Sequence, residues 1–256
     1  MTLYSPNALK QKLRAGTPAL GFWLSLNSLG TTEIAAGAGY DWVLLDAEHA
    51  LYTPESIERH LLAAHHAGTN TEFVVRVPVT EPVLVKGLLD AGVRSFMFPF
   101  VQSVEEAKLA VASTRYPPKG VRGFSGATRA SRYGRDKQYL ATHEDELLVI
   151  IQIESAAAVA NIAAYGAIEG VDAMLIGAND LAANMGHLGD TSHPEVVAKF
   201  DEAGRAIMAS GKAAGFQSFD RTRAKGLIER GFTLAAVDGD ISVMLRGTSE
   251  TLAALR

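Results

Sequence analysis

The sequence predicts an α/β protein, a (β/α)8 or TIM barrel with an extra N-terminal helix that closes its lower end. The chain has 256 residues, and a single barrel of this type typically has about 250. Short runs rich in Val, Ile, Leu and Phe alternate with amphipathic stretches, which is typical of parallel strands and the helices that cover them. The unit recurs eight times, a number that favours a closed barrel over an open sheet. We therefore expect a single barrel domain over residues 1–256.

Eight short apolar runs are the predicted strands. They lack the alternation of polar and apolar residues that marks a sheet with one solvent-exposed face, so both faces of these strands should be covered. In chain order they are Ala19–Ser25, Trp42–Glu48, Phe73–Pro78, Ser95–Phe100, Leu147–Glu154, Val171–Gly177, Ala213–Phe219 and Leu234–Asp240.

Helical periodicity separates these runs, and one further helix precedes the first strand. The predicted helices are Asn7–Arg14, Thr31–Ala38, Pro54–Ala67, Pro82–Ala91, Val104–Arg115, Ser155–Ala167, Pro194–Ser210, Thr222–Arg230 and Val243–Arg256. A glycine stands shortly before six of the strands, where a residue in the left-handed conformation commonly ends a helix. These glycines are Gly39, Gly68, Gly92, Gly170, Gly211 and Gly231.

The composition excludes several classes of protein. A formal charge of −4 and a pI near 6.0 argue against a nucleic-acid partner, which usually meets a basic surface. The absence of cysteine excludes disulfides, thiolate metal sites and cysteine nucleophiles. No apolar run approaches the length of a membrane span, and the first sixteen residues lack the apolar core of a signal peptide. We expect a soluble cytoplasmic protein with no membrane partner.

The connection between Arg115 and Leu147 is long and weakly periodic. Loops of this length in compact domains are usually functional or lie at interfaces. Between Lys119 and Lys137, six basic residues accompany the single acid Asp136: Lys119, Arg122, Arg129, Arg132, Arg135 and Lys137. The segment is interpreted either as an anion-attracting rim or subunit contact, or as an ordinary solvated surface.

Two carboxylates follow neighbouring predicted strands, at the end of a barrel where catalytic groups lie. Gln152 and Glu154 share one face of their strand because side chains alternate with a period of two. Asp180 follows the next strand. Oxygen ligands on adjacent strands suit Mg²⁺ or Mn²⁺. The alternative is that Asp180 caps a helix and Glu154 is a simple surface charge.

Arg76 and His49 are the other candidates at this end. A guanidinium inside a barrel needs an anionic partner, which is either a substrate carboxylate or enolate, or a structural ion pair with Asp46 or Glu48. His49 follows the second strand, where an imidazole can act as a general base. None of the nine lysines lies in a predicted strand, which disfavours an aldolase that forms a Schiff base with its substrate.

Several motifs occur together and in order along nearly the whole chain, from Gly21 to Asp238. They are Gly39-Tyr40-Asp41-Trp42, Asp46-Ala47-Glu48-His49-Ala50, Val75-Arg76-Val77-Pro78, the run Arg115-Tyr116-Pro117-Pro118-Lys119-Gly120-Val121-Arg122-Gly123, Gln152-Ile153-Glu154, and Ile176-Gly177-Ala178-Asn179-Asp180-Leu181. In these motifs the chain resembles the HpcH/HpaI family of metal-dependent, pyruvate-using aldolases, a group of the phosphoenolpyruvate/pyruvate-binding barrels.

The resemblance implies a role for each candidate. Glu154 and Asp180 would bind a divalent metal (Mg²⁺, Mn²⁺ or Co²⁺) that chelates the keto oxygen and carboxylate of pyruvate. Arg76 would stabilise the enolate oxygen. His49 would be the acid/base, and Asp90 would raise its basicity. The remaining expected site residues are Gln152 against the substrate, the amides around Asn179 and Asp180 for the carboxylate, and Trp23 and Asp46 in the pocket wall.

The expected activity is that of a class II aldolase, which cleaves a 4-hydroxy-2-oxo acid reversibly to an aldehyde and pyruvate or a close analogue such as hydroxypyruvate. The expected partners are therefore a small 2-oxo acid and an aldehyde. The resemblance also implies a homo-oligomer, a hexamer built from three dimers that exchange their C-terminal helices. Two alternatives are a citrate-lyase-like or phosphoenolpyruvate-mutase-like lyase of the same barrel superfamily, and a barrel kept only for binding or assembly. A coenzyme A or phosphate site, with Lys119–Lys137 its only candidate, would favour the first.

Overall fold

A computed structural model describes residues 6–256 and shows a closed barrel of eight parallel strands in which each strand pairs with the next and β8 pairs with β1. The predicted fold class is confirmed. Every predicted strand is present, and each ends one or two residues before its predicted end. The strands are β1 Ala19–Leu24, β2 Trp42–Asp46, β3 Glu72–Arg76, β4 Ser95–Phe98, β5 Leu148–Ile153, β6 Ala173–Ile176, β7 Ala213–Gln217 and β8 Leu234–Gly239.

The helices follow the prediction with two exceptions. The predicted helix over 155–167 is divided at Asn161, which ends one short helix and begins the next. Two short helices, α6 and α9, are absent from the predicted set, because four and seven residues are too few to show a helical period. Asp180 lies in the first turn of α9, whose N-cap is Gly177, so it does not cap this helix. The helices are α1 Ala8–Arg14, α2 Leu29–Gly37, α3 Pro54–His66, α4 Pro82–Ala91, α5 Val104–Thr114, α6 Tyr139–Thr142, α7 Ala156–Ala160, α8 Ile162–Gly166, α9 Ala178–Asn184, α10 Pro194–Ala209, α11 Arg221–Glu229 and α12 Asp240–Leu255.

Local chemistry sets the ends of these helices. Side-chain oxygens of Asn7, Ser28, Thr53 and Ser103 accept hydrogen bonds from amides of the first turns that follow them. All six glycines expected before strands have a positive φ, between 70° and 105°. They therefore lie in the left-handed conformation that glycine adopts at low cost.

Two layers of apolar side chains fill the molecule, as the alternation of side chains along each strand requires. The outer layer packs between strands and helices. The inner layer fills the barrel and is closed from below by Leu9 and Leu13 of α1. It includes Trp42, Leu44, Val74, Met97, Leu148, Ile150, Leu175 and Leu234. Gly21 of β1 makes room for Trp42, since a Cβ at Gly21 would lie 2.0 Å from the indole ring. Within residues 6–256, no helix is long and apolar enough to cross a bilayer.

The basic connection after α5 is partly buried and paired within the chain. Arg122 is buried and donates hydrogen bonds to Asp90 and to the hydroxyl of Tyr139. Arg129 donates to a backbone carbonyl of α4, and Lys119 pairs with Glu144. The segment joins the end of α5 to the start of β5, so it lies at the end of the barrel where strands begin. Half of its cations are therefore already paired, away from the end where catalytic groups lie.

Candidate active site

A cavity of about 940 Å³ opens where the strands end. Its walls come from the ends of seven strands, the first turn of α9 and one face of α12. Eight of the nine predicted site residues line it: Trp23, Asp46, His49, Arg76, Gln152, Glu154, Asn179 and Asp180. Asp46, Arg76 and Gln152 continue the inward-facing rows of the barrel one step beyond its apolar layer. The site is thus the polar top layer of the barrel interior.

Arg76 is buried and pairs with both acids that the sequence placed near it. Its Nε and Nη2 donate to Oδ1 and Oδ2 of Asp46 at 2.9 and 2.6 Å, and its Nη1 lies 2.9 Å from Glu48 Oε2. Asp46 and Arg76 are register partners on β2 and β3. The structural ion pair that the sequence left open is therefore present, and it orients the guanidinium at the floor of the cavity.

Both carboxylate oxygens of Asp46 accept further hydrogen bonds besides those from Arg76. The indole of Trp23 donates to its Oδ2 at 3.0 Å, and the amides of Glu48 and His49 each donate to Oδ1 at 3.2 Å. Burial by itself raises the pKa of the Asp46 carboxyl, but the hydrogen bonds and charge of Arg76 outweigh it, and the pKa lies below its usual value. Asp46 is therefore a fixed anion that holds Arg76 and the turn after β2 in place.

His49 stands at the edge of the cavity. Its side chain is 64% exposed, and its Nε2 lies 3.8 Å from Glu48 Oε2. Burial raises the pKa of Glu48, an effect that the charges of Arg76 and His49 only partly offset. The imidazole is therefore held by its backbone and by one nearby carboxylate, and its ring remains open to a ligand in the cavity.

Asp90 is the exception, because within one chain it lies outside the cavity that contains His49. It lies near the end of α4 and accepts a hydrogen bond from Arg122 Nη2 at 2.7 Å. It does not line the cavity. Because α4 runs back down the barrel, its ninth residue lies about 12 Å along the helix from its start. The carboxylate beside His49 is Glu48, and the direction of α4 could have shown this from the sequence.

Glu154 is buried and held by both of its oxygens. The amide of Phe100 donates to Oε2 at 2.7 Å, and Gln152 Nε2 donates to Oε1 at 2.9 Å. Phe100 adopts a φ of 50°, which is unfavourable for an aromatic residue and is found where surrounding structure imposes it. A Cβ at Gly177 would lie 2.5 Å from Glu154 Oε1, so only glycine leaves room for the carboxylate.

The electrostatics around Glu154 favour a cation. Burial raises the pKa of Glu154 to about 7, the Phe100 amide opposes this shift, and the charges of Asp180 and Glu48 add to it. Gln152 Oε1 is buried without a hydrogen-bond partner in the described part of the chain. Carboxylate and amide oxygens are the ligands that Mg²⁺ and Mn²⁺ prefer. The residues at this wall therefore fit a hard divalent ion.

A further wall of the cavity contains residues that the sequence did not indicate. One face of α12 and the end of β7 contribute Gln217, Phe219, Ile241, Leu245, Arg246 and Ser249. Arg246 Nη2 donates to Asp238 Oδ2 at 2.7 Å, and its side chain is 36% exposed. The spacing of Ser242, Arg246 and Ser249 along a helix was the available signal, since residues three and four apart share a face.

Comparison with known proteins agrees with this architecture. Residues 19–245 match the family model described as HpcH/HpaI aldolase/citrate lyase. A pyruvate aldolase of Rhizobium etli is 44% identical over 248 residues, which is 97% of this chain and 96% of that protein. A 4-hydroxy-2-oxo-heptane-1,7-dioate aldolase of Salmonella typhimurium is 41% identical over 249 residues, 97% of this chain and 94% of that protein. The crystal structure of a HpcH/HpaI aldolase/citrate lyase family protein from Burkholderia cenocepacia is 41% identical, covers 98% of this chain and 99% of that one, and has a TM-score of 0.95.

The raised pKa of Glu154 predicts a pH-dependent stability of the metal-free protein. The unfolded chain ionises this carboxyl near its ordinary value of 4.5, but the folded chain does so only near 7. The folded state favours the protonated carboxyl, so its contribution to the free energy of unfolding is fully present below pH 4.5 and is lost as pH rises through 7. Glu154→Gln should therefore be the more stable form at pH 8. The gain should be on the order of 3 kcal/mol.

Denaturant unfolding in a chelator between pH 5 and pH 8 measures this difference. Glu105→Gln, the same change at an exposed position of α5, is the control and should follow the wild type at every pH. Stability curves of wild type and Glu154→Gln that run parallel would contradict the burial cost assigned to Glu154.

Proposed function

Because this chain belongs to the HpcH/HpaI aldolase/citrate lyase family, we propose that it is a class II aldolase. It cleaves a 4-hydroxy-2-oxo acid reversibly to an aldehyde and pyruvate, or a close analogue such as hydroxypyruvate. The observation that carries the proposal is the wall of oxygen ligands at Glu154, Asp180 and Gln152, opposite a guanidinium oriented by Asp46. The aldolase names of the relatives agree with a carbon–carbon lyase. The citrate-lyase-like alternative loses support, because the basic segment proposed for coenzyme A is partly buried and paired elsewhere.

Glu154 and Asp180 would hold the metal, Mg²⁺, Mn²⁺ or Co²⁺. A divalent cation bound there supplies Lewis acidity that polarises the keto group of the substrate and offsets the charge developing on its oxygen. Gln152 fixes Glu154 through its amide nitrogen, and its buried Oε1 has no hydrogen-bond partner in the described part of the chain. The amides of the first turn of α9, around Asn179 and Asp180, would receive the substrate carboxylate. These residues together form the binding site for the 2-oxo acid.

Arg76 stabilises the enolate oxygen in this proposal. Its Nε and Nη2 are occupied by Asp46, which sets the plane of the guanidinium. Its Nη1 faces Glu48, whose side chain is 20% exposed, so a substrate oxygen can take the place of that carboxylate. A charge-assisted hydrogen bond in a site shielded from water is worth more than the same bond in water.

His49 moves the proton. During cleavage it takes the proton of the 4-hydroxyl as the carbon–carbon bond breaks, and during synthesis it returns it to the forming alkoxide. Its exposed ring lies on the same edge of the cavity as Glu48, which stabilises the imidazolium formed after proton transfer. His49 therefore acts on the aldehyde half of the substrate, and Arg76 acts on the pyruvate half.

We also propose that the protein is a homo-oligomer, a hexamer of three dimers. Helix α12 buries only Asp240 and leaves Leu245, Leu252 and Leu255 at least half exposed. Such an apolar stripe on a long terminal helix is typical of a subunit contact. Light scattering of the protein in solution tests the assignment, because a monomer would contradict it.

Metal removal tests the class of aldolase. A chelator should abolish turnover, and Mg²⁺ or Mn²⁺ should restore it, because no lysine lines the described cavity. Glu154→Gln keeps the shape of the side chain and removes a ligand charge, so it should weaken metal binding strongly. Borohydride treatment with pyruvate should leave no covalent adduct. An adduct, or full activity in the chelator, would contradict the proposal.

Two substitutions separate the roles of His49 and Arg76. Decarboxylation of oxaloacetate forms the pyruvate enolate without an initial base, but aldol cleavage needs both groups. His49→Ala should therefore lose aldol cleavage by about 10²–10⁴ and keep most decarboxylation. Arg76→Lys should lose both reactions by about 10²–10³, because an ammonium cannot reproduce the oriented fork. Initial rates of the two reactions measure the split.

Thermal melts accompany these rates, because a substitution at Arg76 weakens the bonds to buried Asp46. Arg76→Lys keeps the charge and should remain folded, so its rates report on the site itself. If Arg76→Lys melts like the wild type and decarboxylates oxaloacetate at the parent rate, Arg76 has no role in holding the enolate.

Arg246 should select the aldehyde. It lies on the face of α12 that lines the cavity and pairs with Asp238 through one nitrogen. Its free donors suit an aldehyde that ends in a carboxylate. For such an aldehyde, Arg246→Gln should raise KM by about tenfold, leaving KM unchanged for a neutral aldehyde of equal length and for pyruvate. Arg205→Gln, an exposed arginine of α10, should change none of them. Equal effects on both aldehydes would contradict this role.

A further inference from the structure

A second group of metal-ligating side chains lies outside the cavity, on the segment that joins α9 to α10 and on the first turn of α10. His187, His193 and Glu195 each offer one ligand atom, and these atoms all lie within 4.8 Å of one another. His187 Nε2 is 3.0 Å from Glu195 Oε2. None of the three residues lines the cavity, so this cluster is separate from Glu154 and Asp180.

The two imidazole rings stack face to face. Their centroids are 3.5 Å apart and their planes differ by 16°. The stack places ring nitrogens of both histidines beside Glu195: His187 Nε2 is hydrogen-bonded to the carboxylate, and His193 Nδ1 accepts a hydrogen bond from the Glu195 amide. Two imidazoles and one carboxylate are a donor set that binds zinc in proteins and leaves a fourth position for water.

The backbone of the segment is already held in a compact form. The amide of His187 donates to a carbonyl of α9 at 2.8 Å, and the Asp190 amide donates to the His187 carbonyl at 2.9 Å. The Asp190 side chain accepts from both the amide and the hydroxyl of Ser192. His193 caps α10. Binding an ion would therefore require motion of side chains only.

The distances allow that motion. Ligand atoms around a tetrahedral zinc ion are about 3.4 Å apart when its bonds are about 2.1 Å long. Atoms that now lie within 4.8 Å of one another need to move by roughly 1 Å. Glu195 has 71% of its side chain exposed and His187 has 23%, so small rotations meet little resistance.

We propose that His187, His193 and Glu195 form a site for a borderline divalent cation, with Zn²⁺ as the reference ion. Nitrogen ligands favour Zn²⁺, Ni²⁺ and Cu²⁺ over Mg²⁺, whereas carboxylate and amide oxygens favour Mg²⁺ and Mn²⁺. The chain therefore presents two sites of different chemistry. The bound ion joins the loop after α9 to the first turn of α10 and stiffens the segment that follows Asp180.

Zinc titration of the metal-stripped, full-length protein in millimolar Mg²⁺ tests the proposal, since Mg²⁺ occupies oxygen sites and leaves nitrogen sites open. Competition with a chromophoric chelator should show one Zn²⁺ bound per chain. His187→Gln and Glu195→Gln should weaken this binding by at least about tenfold. His66→Gln, at an exposed histidine of α3, is the matched control and should bind like the wild type.

Melting temperature gives a second measurement, because an ion that binds only the folded chain raises it. Zn²⁺ should raise the melting temperature of the wild type and of His66→Gln, and should not raise that of His187→Gln. Absence of Zn²⁺ binding in Mg²⁺, or unchanged binding in both His187→Gln and Glu195→Gln, would overturn the site. Neither measurement uses catalysis, so the result is independent of the proposed aldolase activity.

Discussion

Arg76 can remain inside the barrel only because Asp46, its register partner on the neighbouring strand, accepts two of its hydrogen bonds. Breaking a buried pair by removing one partner typically costs 3–5 kcal/mol, since the other charge is left without compensation. The same Asp46 accepts bonds from the Trp23 indole and from two amides of the turn after β2. One carboxylate thus connects three strand ends and sets the floor of the cavity.

The carboxylates in the rest of the site destabilise the folded chain. Glu154 is buried beside the charges of Asp180 and Glu48, and the pKa of its carboxyl is raised to about 7 as a result. A barrel selected only for stability would place apolar side chains at this level, as it does one layer below. The loss of stability is confined to the mouth of the barrel, where the carboxylates can hold a cation. The apolar layers beneath the mouth keep the barrel folded.

The direction of each element explains which of the predicted residues line the cavity and which do not. Side chains at strand ends were predicted well, because every strand of a parallel barrel ends on the same side. Asp90 lies outside the cavity of its own chain, because α4 runs away from that side and carries the residue to Arg122. Arg246 was missed for the converse reason, since α12 starts at the mouth and its first turns line the cavity.

The sequence by itself determined the fold, the order of the strands and which wall would carry oxygen ligands. Periods of 2.0 and 3.6 residues and the glycines at helix ends are local signals, and closure into a barrel follows from eight repeats of one unit. Only the tertiary structure decided which charges meet. Whether Arg76 binds Asp46, Glu48 or both, and whether His187 reaches His193 and Glu195, depends on side-chain distances. Such contacts join residues that local periodicity treats independently, because a change of a few ångströms decides whether an ion pair forms.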